Sequence, residues 1–171
     1  MIKTLYIHGL DSHPVPGKLE IMRGAGLDVT ALHLDYRKQD DAYLMLKKEA
    51  LVKEVQFIVG SSLGGFLGNW LAEELGLPCL LFNPAMNFQS VMNLDIPQLS
   101  TLSCPFRLVV LGASDDSVDP VENLEYFKHK EREDLEQRIL SCHWLGHQID
   151  FDTFESMIGL GVKYLEIRNK R

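Results

Sequence analysis

Apolar residues follow two alternating periods along this chain. Short runs rich in β-branched and aromatic residues recur at 3–8, 27–34, 55–60, 78–83, 106–111 and 138–142, and each reads as a strand. Helical spacing fills the gaps between them. The first helical pattern covers 15–23 and is closed by Gly24 and Gly26. The second covers about 40–53, with Leu44, Leu46, Ala50 and Leu51 as its apolar positions. A third covers 66–75 and stops at Gly76 and Pro78, and a fourth opens on Pro120 with Leu124 and Phe127 on one face. The last carries Phe154, Ile158, Val162 and Leu165 as a single stripe. Strand alternating with helix predicts crossover connections and a doubly wound α/β fold, its mostly parallel sheet covered on both faces.

Composition narrows this further. A chain of 171 residues, 46% hydrophobic and 24% charged, can bury one substantial core, so a single domain over 1–171 is expected. A formal net charge of −7 argues against a nucleic-acid partner or an acidic membrane surface. No apolar stretch is long enough to span a bilayer, and the N-terminal run is too short for a signal peptide. Cys79, Cys104 and Cys142 form no C-x-x-C pair and read as reduced, buried thiols. A cytoplasmic protein is expected. The mixed charges of 128–138 read as a solvated helix or loop.

In a parallel sheet of this kind, ligands gather beyond the carboxyl ends of the strands. Gly60-Ser61-Ser62-Leu63-Gly64 follows the third strand and opens the third helix. This is the strand, turn and helix setting of a G-x-S-x-G nucleophile elbow. Glycines flanking the serine remove the Cβ atoms that would clash in so tight a turn, and the helix start offers free amides to a developing oxyanion. His8-Gly9-Leu10 follows the first strand, Asp115-Asp116 the fifth, and His147 the sixth. A serine needs a base, and the base needs a group that fixes its tautomer. The order Ser62, Asp115, His147 is that of α/β hydrolases.

With these motifs in hand, the chain resembles the α/β-hydrolase superfamily, and within it the small bacterial esterases of the YqiA-like family. The likeness runs over nearly the whole chain, through His8-Gly9-Leu10, the glycine-flanked Ser62 with Gly65 after it, Asn83-Pro84-Ala85, the segment from Gly112 to Val118, and Gly146-His147. It implies a minimal three-layer hydrolase fold that begins at the strand bearing the oxyanion loop. Ser62 is the expected nucleophile; Ser61 lacks glycines at both minus two and plus two. The backbone amides of Leu10 and Leu63 are the expected oxyanion donors. His147, preceded by Gly146, is preferred to His143 as the base, and Asp115 is preferred to Asp116 and Asp119 as the orienting acid. His8 is expected to shape its loop. His13, His33 and His129 read as surface or loop residues, although His13 shares the loop of Leu10. Asp150 and Asp152 read as caps on the last helix.

No metal-ligand spacing and no phosphate-binding glycine loop is present, so neither a metal nor a cofactor is expected. The short connection after Pro84 leaves no space for a large lid. It suggests a cap-like segment at about 85–104, where Met86, Phe88, Val91 and Met92 are candidate walls for an acyl group. The expected function is hydrolysis of small or short-acyl carboxylic esters through a Ser62 acyl-enzyme. A thioesterase with the same residues, or a non-catalytic binding protein on the same fold, is the alternative.

Overall fold

A computed structural model describes residues 1–87, 96–168 and 170. In chain order its elements are β1 (Ile2–Ile7), α1 (Pro16–Gly24), β2 (Leu27–Ala31), α2 (Ala42–Val52), β3 (Phe57–Ser61), α3 (Leu63–Leu75), β4 (Cys79–Phe82), β5 (Phe106–Gly112), α4 (Pro120–Lys128), β6 (Glu136–Cys142) and α5 (Phe151–Arg168). The six strands form one sheet in the order β2-β1-β3-β4-β5-β6, and every neighbouring pair is parallel.

Alternation along each strand divides the apolar side chains between two layers. In β3, Ile58 joins a cluster with Leu46 of α2, Leu67 and Leu71 of α3 and Phe127 of α4. Its neighbours Phe57 and Val59 turn the other way, onto Met22 of α1 and Phe154 and Ile158 of α5. Helices α2, α3 and α4 therefore cover one face, and α1 and α5 the other. β4 is buried along its whole length, as a central strand covered on both faces requires.

Several boundaries differ from the sequence reading for local reasons. β2 stops at Ala31 because the chain leaves the sheet there: the Leu34 amide donates to Nε2 of His8 at 3.0 Å rather than to a strand. α3 starts at Leu63, directly after the elbow. On α2 the buried positions are Ala42, Tyr43, Leu46 and Ala50, whereas Leu44 and Leu51 are exposed. On α5 Phe154, Ile158 and Leu165 are buried, Val162 is half-buried against the same cluster, and Gly161 is buried beside them where α5 passes over β3 and β4. A Cβ at Gly161 would stand 3.5 Å from side-chain atoms of Leu80 and Phe57.

The chain direction across the sheet reverses between β1 and β3, since β1 has β2 on one side and β3 on the other. This switch point opens a crevice at the carboxyl ends of those strands. The two segments that reach into it are the loop after β1 and the turn after β3.

Candidate active site

The turn after β3 is held in a conformation that L residues rarely adopt. Ser62 has φ 55° and ψ −119°, between the end of β3 and the first turn of α3. Its amide donates to the Phe82 carbonyl at 2.9 Å, and its own carbonyl accepts from Phe66 and Ala85 at 3.0 Å each. These bonds over-determine the turn, which is how such strain persists. Glycine is required on both sides for want of space. A Cβ at Gly60 would overlap the Gly64 carbonyl, and one at Gly64 would overlap the carbonyls of Ile7 and His8. The first strand's loop is thus in contact with the elbow. A Cβ on Gly9 would lie 3.2 Å from that of Ser62.

Among the described residues, neither the Leu10 nor the Leu63 amide is donated to a protein acceptor. Leu63 is the first residue of α3, so its free amide sits at the positive end of the helix dipole. Leu10 is only partly buried and follows His8 and Gly9 on the loop that abuts Ser62.

His8 is 1% exposed and makes two opposite bonds. Nδ1 lies 2.7 Å from the Gly9 carbonyl and so carries the proton, while Nε2 accepts from the Leu34 amide at 3.0 Å. Tyr36 adds a third tie, its hydroxyl donating to the His8 carbonyl at 2.9 Å. Burial, with smaller contributions from His33 and His13, holds the His8 pKa below its ordinary value of 6.5. The unfolded chain therefore binds a proton at a pH where the folded one does not. This contribution to stability is complete above about pH 6.5 and is lost as the pH falls below it. Urea midpoints measured between pH 7.5 and 5.5 are expected to decline, and His8→Asn is expected to flatten that slope.

Beyond β5 and β6 the two terminal loops are knitted together. Ala113 and Ser114 donate backbone bonds to the Cys142 and Leu145 carbonyls at 3.0 Å, and the Ser114 hydroxyl reaches the His143 carbonyl at 3.1 Å. A Cβ at Gly112 would come within 2.5 Å of the Leu145 carbonyl, so only glycine lets the loops approach. This brings Asp115 onto His147. Nδ1 of His147 lies 2.9 Å from Oδ2 and 3.1 Å from Oδ1 of Asp115. The Asp115 carboxylate is 1% exposed and also accepts from the amides of Ser117 and Val118 at 2.8 and 2.9 Å. Its orientation is thereby fixed.

The competing residues lie elsewhere. Asp116 is exposed and bonds the Ser117 hydroxyl, and Asp119 caps α4 by accepting from Val121 and Glu122. The His143 ring is exposed and packs edge-on against Trp144, and His129 bonds the Glu125 carbonyl. His13 is exposed, and His33 stacks on His8. Asp150 accepts from the Thr153 amide at 2.8 Å at the start of α5, whereas Asp152 stands exposed in its first turn. Met86 is buried in the α2–α3–α4 cluster, while Phe88, Val91 and Met92 lie outside the described residues.

One residue of this site carried no role in the sequence reading beyond membership of a motif. Asn83, 2% exposed with φ 41°, accepts from the Gly112 amide at 2.6 Å and donates to the carbonyls of Gly146 and His147 at 2.8 and 3.2 Å. It sits one residue past Phe82, which receives the Ser62 amide, and two residues before Ala85, which donates to the Ser62 carbonyl. Asn83 therefore links the elbow, the end of β5 and the His147 loop. A polar residue directly after an apolar strand and before Pro84 was the only available signal. Among the described residues no group of three or more His, Cys, Asp or Glu side chains could hold a metal ion, and no helix is long and apolar enough to cross a membrane.

An all-parallel sheet with a strained serine elbow at its switch point, and later strands that end in an aspartate and a histidine, defines an α/β-hydrolase fold. The chain belongs to the uncharacterised protein family UPF0227, whose model matches residues 3–103. No curated protein sequence matches it. Solved structures agree on the fold. A monoacylglycerol lipase from Paleococcus ferrophilus superposes with a TM-score of 0.70 at 13% identity, over 94% of each chain. Est1E from Butyrivibrio proteoclasticus gives 0.68 at 12% identity, over 99% of this chain and 89% of that one. FphF, a fluorophosphonate-binding serine hydrolase of Staphylococcus aureus, gives 0.66 at 16% identity, over 96% and 83% respectively.

Proposed function

We propose that this protein is a serine hydrolase of carboxylic esters. The observation that carries the reading is the buried Asp115 carboxylate on Nδ1 of His147, at the same sheet edge as the strained Ser62 turn. An aspartate on Nδ1 leaves Nε2 of His147 free to accept a proton, the tautomer a general base needs. In the proposed reaction, Ser62 Oγ attacks the ester carbonyl as its proton passes to Nε2. The tetrahedral oxyanion is received by the amides of Leu63 and Leu10. His147 then returns the proton to the departing alcohol, leaving an acyl group on Ser62. Water, deprotonated by the same nitrogen, releases the acid. The short connection between β4 and β5, residues 83–105, supports small or short-acyl esters as substrates. The names of the structural neighbours, a lipase and a serine hydrolase among them, favour ester chemistry over a binding role.

The test is intact-mass detection of fluorophosphonate labelling, alongside a nitrophenyl butyrate assay, on the wild type, Ser62→Ala and His147→Ala. Labelling at one site with turnover, both lost in the two variants, is expected. Undiminished labelling of Ser62→Ala would remove that serine from the mechanism. The acid is tested separately: Asp115→Asn is expected to lower kcat at least about a hundredfold, because the amide no longer stabilises the His147 imidazolium. Asp116→Asn is expected to leave kcat within about twofold, since exposed groups of this kind contribute little.

A further inference from the structure

The proposed nucleophile and the proposed base follow strands that are not neighbours. Ser62 comes after β3 and His147 after β6, with β4 and β5 between them. Some contact has to set the distance from the elbow to the His147 loop. The Asp115–His147 bond does not, because it fixes the ring on its acid. Other bonds of the 143–147 loop run the same way: the His143 and Leu145 carbonyls accept from Ser114, and the Leu145 amide donates to the Cys142 carbonyl. These hold the acid loop and the base loop to each other. Among the described residues, the hydrogen bonds that tie residues 143–147 to the elbow side of the sheet are those donated by Asn83 Nδ2. They reach the Gly146 carbonyl at 2.8 Å and the His147 carbonyl at 3.2 Å.

The main chain around Asn83 belongs to the elbow. Bonds from the Ser62 amide to Phe82 and from Ala85 to the Ser62 carbonyl bracket it. A Cβ at Gly65, in the first turn of α3, would stand 2.9 Å from Pro84, and the buried Asn123 of α4 donates to the Pro84 carbonyl at 2.7 Å. Residues 82–85 are thus fixed to Ser62, and the Asn83 side chain reaches from them to both later loops.

The residue type is specified twice. At φ 41° the backbone is in the left-handed region, which asparagine and aspartate enter more readily than most residues. The side-chain contacts then separate these two. Oδ1 accepts from the Gly112 amide, which a carboxylate also does, but Nδ2 donates twice, which a carboxylate does not.

We infer, on the hydrolase reading above, that Asn83 is a positioning residue that sets the place of the His147 imidazole over Ser62 through the main chain of the base loop. Without its amide, the Asp115–His147 pair stays intact but shifts as a unit relative to Ser62 Oγ. A misplacement of about 1 Å at a reacting group costs about 10²-fold in rate.

Two variants test this. Asn83→Gly keeps the turn and deletes the amide, whereas Asn83→Asp keeps the turn and the acceptor for Gly112 and lacks only the donors. Both are compared with the wild type below their melting temperatures, with folding checked by circular dichroism. The measurements are nitrophenyl butyrate kinetics, the rate of fluorophosphonate labelling, and the downfield proton resonance of His147 Nδ1–H, assigned by its absence from His147→Ala. Turnover by the wild type is expected, with kcat and labelling rate about a hundredfold lower in both variants, KM within about threefold, and the resonance retained. Glu73→Gln controls for lost stability alone. That buried carboxylate, near the far end of α3, pairs with Arg107 and Arg132, and its loss is expected to leave kcat unchanged. Either Asn83 variant keeping kcat within about threefold, or an equal loss in Glu73→Gln, overturns the positioning role alone. Normal kinetics in the aspartate variant only would assign the effect to the Gly112 bond instead. Disappearance of the resonance also overturns it, since Asn83 would then hold the pair together rather than place it. A wild type with neither labelling nor turnover overturns both this role and the hydrolase reading.

Discussion

Replacing Ser62 with glycine is expected to remove ester turnover and raise the melting temperature at once. The two effects come from different atoms. On the proposed mechanism, turnover needs Oγ, and loss of a serine nucleophile costs at least about 10⁴ in kcat. The strain resides in Cβ, because φ 55° with ψ −119° is a conformation that glycine reaches freely and serine does not. A residue held in such a region costs about 1–3 kcal/mol. Glycine relieves that cost but adds about 0.4–1 kcal/mol of unfolded-chain entropy, so a net gain of about 1 kcal/mol is expected. For a domain of this size that is about 2–4 °C in Tm. Ser62→Ala separates the two contributions, as it deletes Oγ and keeps Cβ. It should be as inactive as the glycine variant and no more stable than the wild type. Calorimetric scans of the three proteins, with a nitrophenyl ester assay, test both parts. A glycine variant that melts below the alanine one would mean that the bonds to Phe82, Phe66 and Ala85 do not force the turn.

What the sequence revealed follows from the range over which each signal acts. The strands were legible because β-branched runs between glycines and prolines are local, and the elbow was legible because its glycines stand at fixed places within five residues of chain, although the clash that Gly64 avoids is with the distant carbonyls of Ile7 and His8. Helix faces were less so. Apolar residues mark α2 at Leu44, Leu46, Ala50 and Leu51 without saying which of them face the sheet, and the face that packs there holds Ala42, Tyr43, Leu46 and Ala50. On α5 a count of apolar residues found Phe154, Ile158, Val162 and Leu165, which all pack into the core, and left out the buried Gly161, which has no side chain to count. Asn83 went unassigned for a different reason. Its amide joins Gly112, 29 residues away, to Gly146 and His147, more than 60 residues away, and one chain gives no sign of such a link. The preference for Asp115 over its neighbours came from spacing, and its packing against His147 supports the same choice on geometric grounds.

The buried ion pair under α3 was equally invisible, since Glu73 and Arg107 are 34 residues apart, and it governs the largest stability effect to be expected. Glu73→Gln keeps the shape of the side chain and removes its charge. The Glu73 side chain is 4% exposed and that of Arg107 is 1%, so the guanidinium would remain in the interior without its counter-charge. Breaking a buried pair in this way costs about 3–5 kcal/mol, which corresponds to a fall of roughly 10 °C in Tm. Arg132 does not share that penalty. Its side chain is 21% exposed and already holds Asp134 at 3.0 Å, so it can turn outward. Removing both buried charges, as Glu73→Leu with Arg107→Met, is therefore expected to recover most of the loss, because neither group then has to be desolvated. The coupling in this double-mutant comparison separates charge from packing. A pair of substitutions no more stable than Glu73→Gln alone would show that the Glu73 side chain acts through the bond it accepts from the Cys104 amide, which helps anchor the start of β5 to α3. Because the elbow lies at the other end of α3, the activity of properly folded Glu73→Gln at 25 °C is expected to match the wild type, so the effect is one on stability alone.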